Sequence, residues 1–400
     1  MAAGVAAALT AVAIPVGIGA SGHAPGPAGP PPRTAPTLYA AYADDNCTRC
    51  SAVIPISTAT NKAGKPVRVG EGPFTVAGTG TIAITPDGKT AYVLNNAGTV
   101  IPVSTAANKA GKPIHVGHSR RLGGPEFIAI TPDGKTAYVA NLGLNAVIPI
   151  STATNKAGKP IPAGPIPAWI VFTPDGKTAY VLDANHNDGP AEVTPINTAT
   201  NTAGKSIRVG DGSFEIAITP DGKTVYDEGV STVTPINTAT NTAGTPIHLS
   251  EGTGTGAMAV TPDGQTVYVV TGPDLGGQPS LVTPISTATN KAGPPIKIGA
   301  YGFTRQIAVT PDGKTAYTVT EDSVVVPIST ATNSPGKPIR FGSDCRPSGG
   351  IFDNIAITPD GKTAYVICGS TVVPISTATN TLGKPIHVPF VYPETIATSP

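Results

Sequence analysis

The hydrophobic and polar positions of this chain follow a pattern that repeats along most of its length. A typical unit, IAITPDGKTAYVANLGLNAVIPISTATNKAGKPIPAG, runs from Ile128 to Gly164. The runs IAIT, KTAYV and AVIPI alternate or stay apolar over four to five residues, as β-strands do, and KPI begins a further short run. We call these runs strands a, b, c and d. The pattern therefore predicts a four-stranded antiparallel meander in each unit.

Strands a and b are joined by a Pro-Asp-Gly turn. Proline presets φ at the first turn position, aspartate tolerates the second, and glycine supplies a positive φ at the third. This sequence predicts a type I turn with a G1 bulge. The TPDG motif returns along the chain, with copies that begin at Thr85, Thr131, Thr173, Thr219, Thr261, Thr310 and Thr358.

The polar segment between strands c and d gives the period of the repeat. Successive STATN-like segments begin 40 to 49 residues apart. Four strands in such a period are typical of a β-propeller blade. A linear solenoid is the alternative, but the ends of the chain argue against it. The segments begin at Ser57, Ser104, Ser151, Asn197, Asn237, Ser286, Ser329 and Ser376.

The two ends of the repeat region complement each other. TLYAAYA, from Thr37 to Ala43, aligns with strand b and has no strand a before it. TIATSP, from Thr395 to Pro400, aligns with strand a and has nothing after it. One blade assembled from both ends, added to seven complete units, predicts an all-β propeller of eight blades closed by strands from both termini. Seven blades with a frayed end is the alternative.

Tyrosine and proline return in fixed slots of the unit. A tyrosine in strand b of every unit predicts packing between blades. A proline inside strand c is unusual for a central strand and predicts a bulge or a lost hydrogen bond there. Another proline near the start of strand d fits the outer edge of a blade, where it blocks edge-to-edge pairing. The tyrosines are Tyr39, Tyr92, Tyr138, Tyr180, Tyr226, Tyr268, Tyr317 and Tyr365.

Charge and the N-terminal region narrow the class of protein. The formal net charge of the 400 residues is +1, so no basic surplus can neutralise a phosphate backbone, and we expect no nucleic-acid partner. Residues 2–20 are apolar and uncharged, and a Pro/Gly-rich stretch follows. We predict a signal peptide over 1–24, a linker over 25–36 and the propeller over 37–400. An uncleaved N-terminal anchor is the alternative.

TPDGKTAYVAN, followed by TATN and KPIxVG, resembles the YVTN β-propeller repeat over Thr37 to Pro400. The resemblance implies an exported or cell-surface propeller, and it carries over no catalytic residue because the repeated motif is scaffold. The tetrad that gives the family its name varies here. It reads YVLN at Tyr92–Asn95, YVAN at Tyr138–Asn141 and YDEG at Tyr226–Gly229.

The meander places different connections on its two faces. The a–b and c–d turns share one face, which we call the turn face, and the b–c and d–a loops share the other, which we call the loop face. The loops vary, and variable loops on a rigid scaffold are where function usually lies. Their mixed acids, arginines and aromatic residues suit a polar small molecule, a glycan or a peptide. The candidate binding residues of the loop face and axial mouth are His118, Arg120, Arg121, Glu126, Trp169, His186, Phe214, Glu215, Tyr301, Arg305 and Asp353.

No catalytic motif stands in the context that it requires, whether G-x-S-x-G, H-E-x-x-H, a P-loop or a dinucleotide fingerprint. We therefore expect a secreted or cell-surface binding scaffold for a protein or a cell-envelope polymer. We expect the protein to be a monomer and to have no catalytic residues, no cofactor and no metal. We also expect no membrane span in the mature protein. The alternative is an enzyme of lactonase or lyase type, which His118 or His186 converging with Glu126 or Glu215 would favour. A self-associating surface-layer component is the third hypothesis.

Four cysteines, Cys47, Cys50, Cys345 and Cys368, fall in loop-face connections where the ring closes. An even number in an exported chain predicts disulfides. The preferred pairing is Cys47–Cys50 with Cys345–Cys368, and pairing across the seam is the alternative. A zinc site built from all four in a reducing compartment is a further alternative, which the presence of only one C-x-x-C disfavours. We expect thiol titration of the denatured, unreduced protein to find no free thiol.

Overall fold

The computed structural model describes residues 37–44, 50–71, 82–95, 98–118, 124–184, 190–210, 212–249, 253–272, 279–299, 304–320, 324–342, 355–388 and 392–398. At positions 42–44, 50–51, 71, 253–256, 305 and 392–395 only the backbone is described. The predicted signal peptide and linker lie outside these ranges. No helix within them is long and apolar enough to cross a membrane.

The strands of the described residues fall into eight sheets, each of which is one blade. Blade 1 contains β1 (Thr37–Asp44), β2 (Cys50–Ser57), β3 (Lys62–Ala63), β4 (Val67–Glu71) and, from the other end of the chain, β40 (Tyr392–Thr398). Blade 2 contains β5 (Ile82–Ile84), β6 (Thr90–Asn95), β7 (Thr99–Ser104), β8 (Lys109–Ala110) and β9 (Ile114–His115). Blade 3 contains β10 (Pro125–Ile130), β11 (Thr136–Asn141), β12 (Ala146–Ser151), β13 (Lys156–Ala157) and β14 (Ile161–Pro162). Blade 4 contains β15 (Pro167–Phe172), β16 (Thr178–Asp183), β17 (Ala191–Asn197), β18 (Thr202–Ala203) and β19 (Ile207–Gly210).

Blades 5–8 repeat the same order. Blade 5 contains β20 (Glu215–Ile218), β21 (Thr224–Glu228), β22 (Thr232–Asn237), β23 (Thr242–Ala243) and β24 (Ile247–His248), and blade 6 contains β25 (Thr253–Val260), β26 (Thr266–Gly272), β27 (Leu281–Ser286), β28 (Lys291–Ala292) and β29 (Ile296–Lys297). Blade 7 contains β30 (Thr304–Val309), β31 (Thr315–Thr320), β32 (Val324–Ser329), β33 (Ser334–Pro335) and β34 (Ile339–Arg340). Blade 8 contains β35 (Ile355–Ile357), β36 (Thr363–Cys368), β37 (Thr371–Ser376), β38 (Thr381–Leu382) and β39 (Ile386–His387). One 3-10 turn, Leu142–Leu144, lies in a loop of blade 3.

The ring closes through both ends of the chain. Strand β1 pairs with β40 in antiparallel register, so that Leu38 lies opposite Thr398 and Ala40 lies opposite Ile396. The C-terminal segment is therefore strand a of blade 1, and β1 is its strand b. This confirms the predicted all-β fold of eight blades rather than seven.

The sequence pattern predicts one short strand d at the outer edge of each blade. In the structure, strand d of each blade is divided into two short segments. In blade 2, β8 and β9 both pair with β7 and together form strand d. Strand c keeps an unbroken register with strand b through Pro102, so the expected bulge is absent there. Its pairing with strand d is interrupted at Ile101 and Pro102, in agreement with the expected loss of a hydrogen bond. The Gly111 N–H donates to the Pro102 carbonyl oxygen at 2.7 Å. A methyl group at Gly111 would lie 3.1 Å from Pro102 Cγ, so this close approach favours glycine.

The repeated tyrosines lie between blades, as predicted, and each is bonded to the next blade. All eight side chains are buried. The Tyr92 hydroxyl of blade 2 donates to Asn155 Oδ1 of blade 3 at 2.7 Å. The Tyr365 hydroxyl of blade 8 donates to Asn61 Oδ1 of blade 1 at 2.6 Å, which closes the circle. The remaining pairs are Tyr39–Asn108, Tyr138–Asn201, Tyr180–Asn241, Tyr226–Asn290, Tyr268–Asn333 and Tyr317–Asn380.

The asparagine of each pair is the last residue of the STATN-like segment, and it has two roles. Its backbone is in the left-handed region, with φ between 46° and 55° in the eight copies. Asparagine tolerates this conformation better than most other residues. Its side chain also accepts the tyrosine hydroxyl of the preceding blade. The turn face is therefore a continuous ring of identical contacts, which explains why its sequence repeats so closely.

Candidate functional site

The loop-face ends of the inner strands surround the axis. Strand a of each blade lies at the inner end of its sheet. Strands β40, β5, β10, β15, β20, β25, β30 and β35 contact one another in that order around the ring. Each begins on the loop face, so residues at these starts lie at the axial mouth. The predicted site residues Glu126, Trp169, Phe214, Glu215, Arg305 and Asp353 all belong to this region of the sequence.

Aromatic residues connect blades 3, 4 and 5 along these starts. The rings of Phe127 and Trp169 meet edge to face, with 4.7 Å between their centroids. Trp169 Nε1 donates a hydrogen bond to the carbonyl oxygen of Phe214. Trp169 is buried, whereas Phe214 is partly exposed. Trp169 therefore joins neighbouring blades and does not offer an open aromatic surface.

Glu215 makes a contact across the blade boundary that has an uncharged counterpart elsewhere in the ring. Its Oε2 accepts the Met258 N–H of blade 6 at 3.0 Å. In blade 7, Gln306 Oε1 accepts the Ile355 N–H of blade 8 at 2.5 Å. Both acceptors stand directly before the first isoleucine of strand a. The contact therefore needs a side-chain oxygen but not a negative charge.

The residue opposite Glu215 is a second acid. Glu228 of β21 pairs with Glu215 of β20, and residues directly opposite each other in antiparallel strands point to the same face. Both side chains are fully buried. Burial raises the pKa of Glu215 well above its usual range, and the Glu228 carboxylate raises it further, against the lowering effect of the Met258 N–H. In blade 7 the corresponding pair is Gln306 and Val319, which carries no charge.

Asp227 is buried on the opposite face of the same strand. Alternation along β21 directs Asp227 toward blade 4, away from Glu228. The Ser213 hydroxyl donates to Asp227 Oδ2 at 2.9 Å. Burial raises the pKa of Asp227 to about 7, although the Ser213 bond lowers it. At the corresponding positions blade 2 carries Val93 and Leu94, so blade 5 replaces two core hydrophobic residues by acids.

Two further acids lie at the same end of blades 3 and 4. Glu126 is partly exposed at a β-bulge, where Pro125 and Phe127 oppose the consecutive residues Asn141 and Ala140. Burial raises the pKa of Glu126 to about 7. Asp183 ends strand b of blade 4, and burial raises its pKa to about 6 although it accepts the Ile166 N–H at 2.8 Å. We call the set Glu126, Asp183, Glu215, Asp227 and Glu228 the acidic sector.

Of this sector, only Glu126 and Glu215 are among the predicted binding residues. Asp183, Asp227 and Glu228 are among the residues that the pattern assigns to the variable loops, but they lie at the ends of strand b, which extends further toward the loop face than the pattern indicates. The available signal was YDEG at Tyr226–Gly229, which places two acids where the other copies carry uncharged residues. Charged residues at slots that are otherwise apolar carry more information than charged residues in loops.

The other candidate residues are more scattered. His118 is exposed beside Gly98, in a loop connection of blade 2. Within the described part of the chain, no hydrogen bond joins His118 to Glu126 or Glu215. The residues Arg120, Arg121, His186, Tyr301 and Asp353 lie outside the described residues, and for Arg305 only the backbone is described.

The cysteines are described in part. Cys368 is the last residue of β36 and is buried, so it lies in a strand and not in the loop that we expected. Cys47 and Cys345 lie outside the described residues, and Cys50 is described by its backbone alone. The pairing of the four cysteines therefore stays a prediction.

Comparison with known proteins shows the fold but not a family. No family model and no curated protein sequence matches the chain, so the resemblance to the YVTN repeat is not confirmed. The solved structures that are similar to the chain include three with unrelated names. The dihydro-heme d1 dehydrogenase NirN in complex with DHE is 15% identical, with a TM-score of 0.68 over 90% of this chain and 74% of that chain. Apo AztD from Citrobacter koseri is 15% identical, with a TM-score of 0.63 over 90% and 98%.

The third structure is Kuenenia stuttgartiensis hydrazine synthase. It is 22% identical, with a TM-score of 0.57 over 78% of this chain and 96% of that chain. Identities this low carry no site residue from one protein to another, because one fold supports many unrelated functions. What these comparisons and the sheet order establish together is that the chain has the fold of an eight-bladed β-propeller.

Proposed function

We propose that this protein is an exported binding propeller whose loop face takes up a protein or a cell-envelope polymer, with the acidic sector as its anchoring region. The observation that carries the proposal is the contrast between the two faces. The turn face repeats one set of contacts in all eight blades. On the loop face, equivalent slots differ in chemistry from blade to blade.

The slot before the first isoleucine of strand a illustrates this variation. It holds Phe127 in blade 3, Trp169 in blade 4, Glu215 in blade 5 and Gln306 in blade 7. A closed ring of identical blades could carry the same residue at this slot in every blade. Differences concentrated at one end of a rigid scaffold support recognition of an asymmetric ligand.

The chemistry of the sector supports a ligand that donates hydrogen bonds or carries positive charge. Glu126 is the most accessible acid of the sector, and its raised pKa leaves it near half ionisation at neutral pH. Two apolar side chains stand out on the same face, since Leu144 is 42% exposed and Val230 is 40% exposed. Amino groups next to short apolar side chains are found in proteins and in the peptide parts of wall polymers.

Sedimentation with insoluble peptidoglycan tests the proposal. We expect the purified chain to pellet with the polymer, and we expect Glu126→Gln, Leu144→Ser and Val230→Ser to reduce the bound fraction severalfold. Lys89→Ala and Lys135→Ala are matched controls, because these exposed lysines pair with Asp87 and Asp133 on the turn face. Failure to pellet would contradict a wall-polymer ligand. Equal losses from turn-face and loop-face variants would contradict the assignment of the face.

The enzyme hypothesis has one observation in its favour. A half-buried carboxyl with a pKa of about 7, positioned by a β-bulge, suits a general acid, and Glu126 is such a group. A panel of lactones and uronate polymers tests it. Turnover that falls about 100-fold or more in Glu126→Gln would support catalysis. Turnover unchanged in that variant, or absent with every substrate, would leave binding as the function.

A further inference from the structure

The boundary between blades 5 and 6 gathers buried oxygen atoms from both sides. Tyr226 of β21 bonds to Asn290 of blade 6, so its face of blade 5 is directed toward blade 6. Glu228 lies two residues further along the strand and shares this face, as does its cross-strand partner Glu215. The hydrogen bond from the Met258 N–H to Glu215 confirms that direction.

Blade 6 contributes a hydroxyl to the same boundary. Tyr268 of β26 bonds to Asn333 of blade 7, and Thr271 lies three residues further along an unbroken register. Alternation therefore directs Thr271 to the opposite face, toward blade 5. Its side chain is fully buried. Glu215, Glu228 and Thr271 thus all face the space between these two blades near its loop-face end.

Two of these oxygen atoms lack partners that a buried polar atom normally has. Within the described residues, neither Glu215 Oε1 nor Thr271 Oγ1 makes a hydrogen bond. An unsatisfied buried acceptor costs about 1–3 kcal/mol, and such atoms in native proteins commonly indicate a bound water or ion. A water would satisfy the geometry of a hydroxyl, but it would not offset two carboxylates that repel each other.

We infer that the space between blades 5 and 6 binds one divalent cation through oxygen ligands, with Glu215 Oε1, the Glu228 carboxylate and Thr271 Oγ1 as its protein ligands. Carboxylate and hydroxyl oxygens suit a hard cation, and the flexible coordination of Ca²⁺ accepts such a set completed by water or backbone carbonyls. The cation links blades 5 and 6 at their loop-face ends. At the boundary between blades 7 and 8, the neutral Gln306 makes the corresponding contact.

The ligand set is small, which limits the cations that fit. The described residues contain no group of three or more His, Cys, Asp or Glu side chains that could hold a metal ion. The site therefore offers two carboxylates without nitrogen or sulfur ligands, which favours Ca²⁺ over Zn²⁺. Mg²⁺ requires near-ideal octahedral geometry and keeps its waters, so it should bind more weakly here.

Calorimetric titration of the EDTA-treated full chain with Ca²⁺, and separately with Mg²⁺, tests the inference. We expect one Ca²⁺ per chain, with an affinity that falls at least about tenfold in Glu228→Gln and in Thr271→Val. Thr271→Val keeps the shape and the charge, so it remains informative if Glu228→Gln fails to fold. Thr320→Val is the matched control, because Thr320 occupies the same slot in blade 7 and its hydroxyl bonds to the Val324 carbonyl oxygen at 3.2 Å.

The titrations of the parent chain and of the three variants distinguish a cation at this boundary from a cation elsewhere and from no cation. Ca²⁺ binding that is weakened by Glu228→Gln or Thr271→Val but not by Thr320→Val supports the site. No heat of Ca²⁺ binding to the parent chain would overturn it, and the two carboxyls would then be neutralised by a shared proton. Binding that all three variants leave unchanged would also overturn it, because the cation would then lie elsewhere.

Discussion

Blades 5 and 7 solve the same structural problem with different side chains. In each, a residue before strand a accepts a backbone N–H of the next blade, through Glu215 in blade 5 and through Gln306 in blade 7. Blade 7 places Val319 opposite its glutamine, whereas blade 5 places Glu228 opposite its glutamate. This contact therefore needs a side-chain oxygen but not a charge. The acids of blade 5 are additions to the architecture, and such additions point to function.

The turn face should be where the fold is most easily broken. Tyr365→Ala removes a buried side chain and the hydrogen bond to Asn61 that closes the ring. We expect the free energy of unfolding to fall by about 3–5 kcal/mol in denaturant titrations. Tyr365→Phe removes the hydroxyl alone and should cost about 1 kcal/mol. A loss below about 1 kcal/mol for Tyr365→Ala would mean that the tyrosine ring does not hold the blades together.

The core of blade 5 should become more stable when it is made to resemble blade 2. The double variant Asp227→Val, Glu228→Leu restores the residues found at Val93 and Leu94. We expect the free energy of unfolding at pH 8 to rise by about 1–4 kcal/mol, because two buried carboxyls no longer have to be desolvated. The reverse change in blade 2, Val93→Asp, should destabilise. Destabilisation by the double variant would show that the acids are part of the fold.

The two roles of the turn-face asparagine can be separated at Asn108. Asn108→Gly keeps the left-handed backbone, with its φ of 46°, and loses only the acceptor for Tyr39. Asn108→Ala loses the acceptor and strains the backbone. We expect losses of about 1 kcal/mol for glycine and about 2 kcal/mol for alanine in the free energy of unfolding. Equal losses would show that the conformation contributes nothing.

Glu126 should contribute a small dependence of stability on pH. Its pKa is about 7 in the folded protein, against about 4.3 in an unfolded chain. The native state therefore binds more protons between these values, so the contribution of Glu126 to stability is fully present below about pH 4 and is lost as the pH rises through about 7. The free energy of unfolding is measured at pH 5 and at pH 8 for both proteins. We expect its decrease between these two pH values to be about 1–2 kcal/mol smaller in Glu126→Gln than in the parent chain. An unchanged pH profile would contradict the burial of this carboxyl.

The sequence predicted the features that depend on the repeat itself. The period, the Pro-Asp-Gly turn and the complementary chain ends were enough for eight blades, because each blade is built from local contacts. The tyrosine slot was recognised, but its partner was not, since Tyr92 and Asn155 are 63 residues apart and meet only when blades stack. The division of strand d was not predicted, although the gap between its two segments lies opposite Pro102, which has no N–H to donate.

The candidate site was harder to predict for a similar reason. Asp227 and Glu228 are neighbours in sequence, yet the alternation of the strand directs them to opposite boundaries of blade 5. A composition count cannot show this, and neither can the length of the loop. Glu126 was predicted from its place before strand a, but the bulge that positions it depends on pairing with Asn141. The local pattern therefore locates the acids, and only the packing of blades shows which of them meet.

The most direct test of this comparison is the free energy of unfolding of Glu215→Gln at pH 8, measured beside the parent chain. A glutamine keeps an oxygen for the Met258 N–H, as Gln306 does for Ile355 in blade 7. Without added Ca²⁺, we expect a variant at least as stable as the parent chain. A loss of more than about 1 kcal/mol, the size of one hydrogen bond, would contradict it by showing that the fold itself requires the carboxylate.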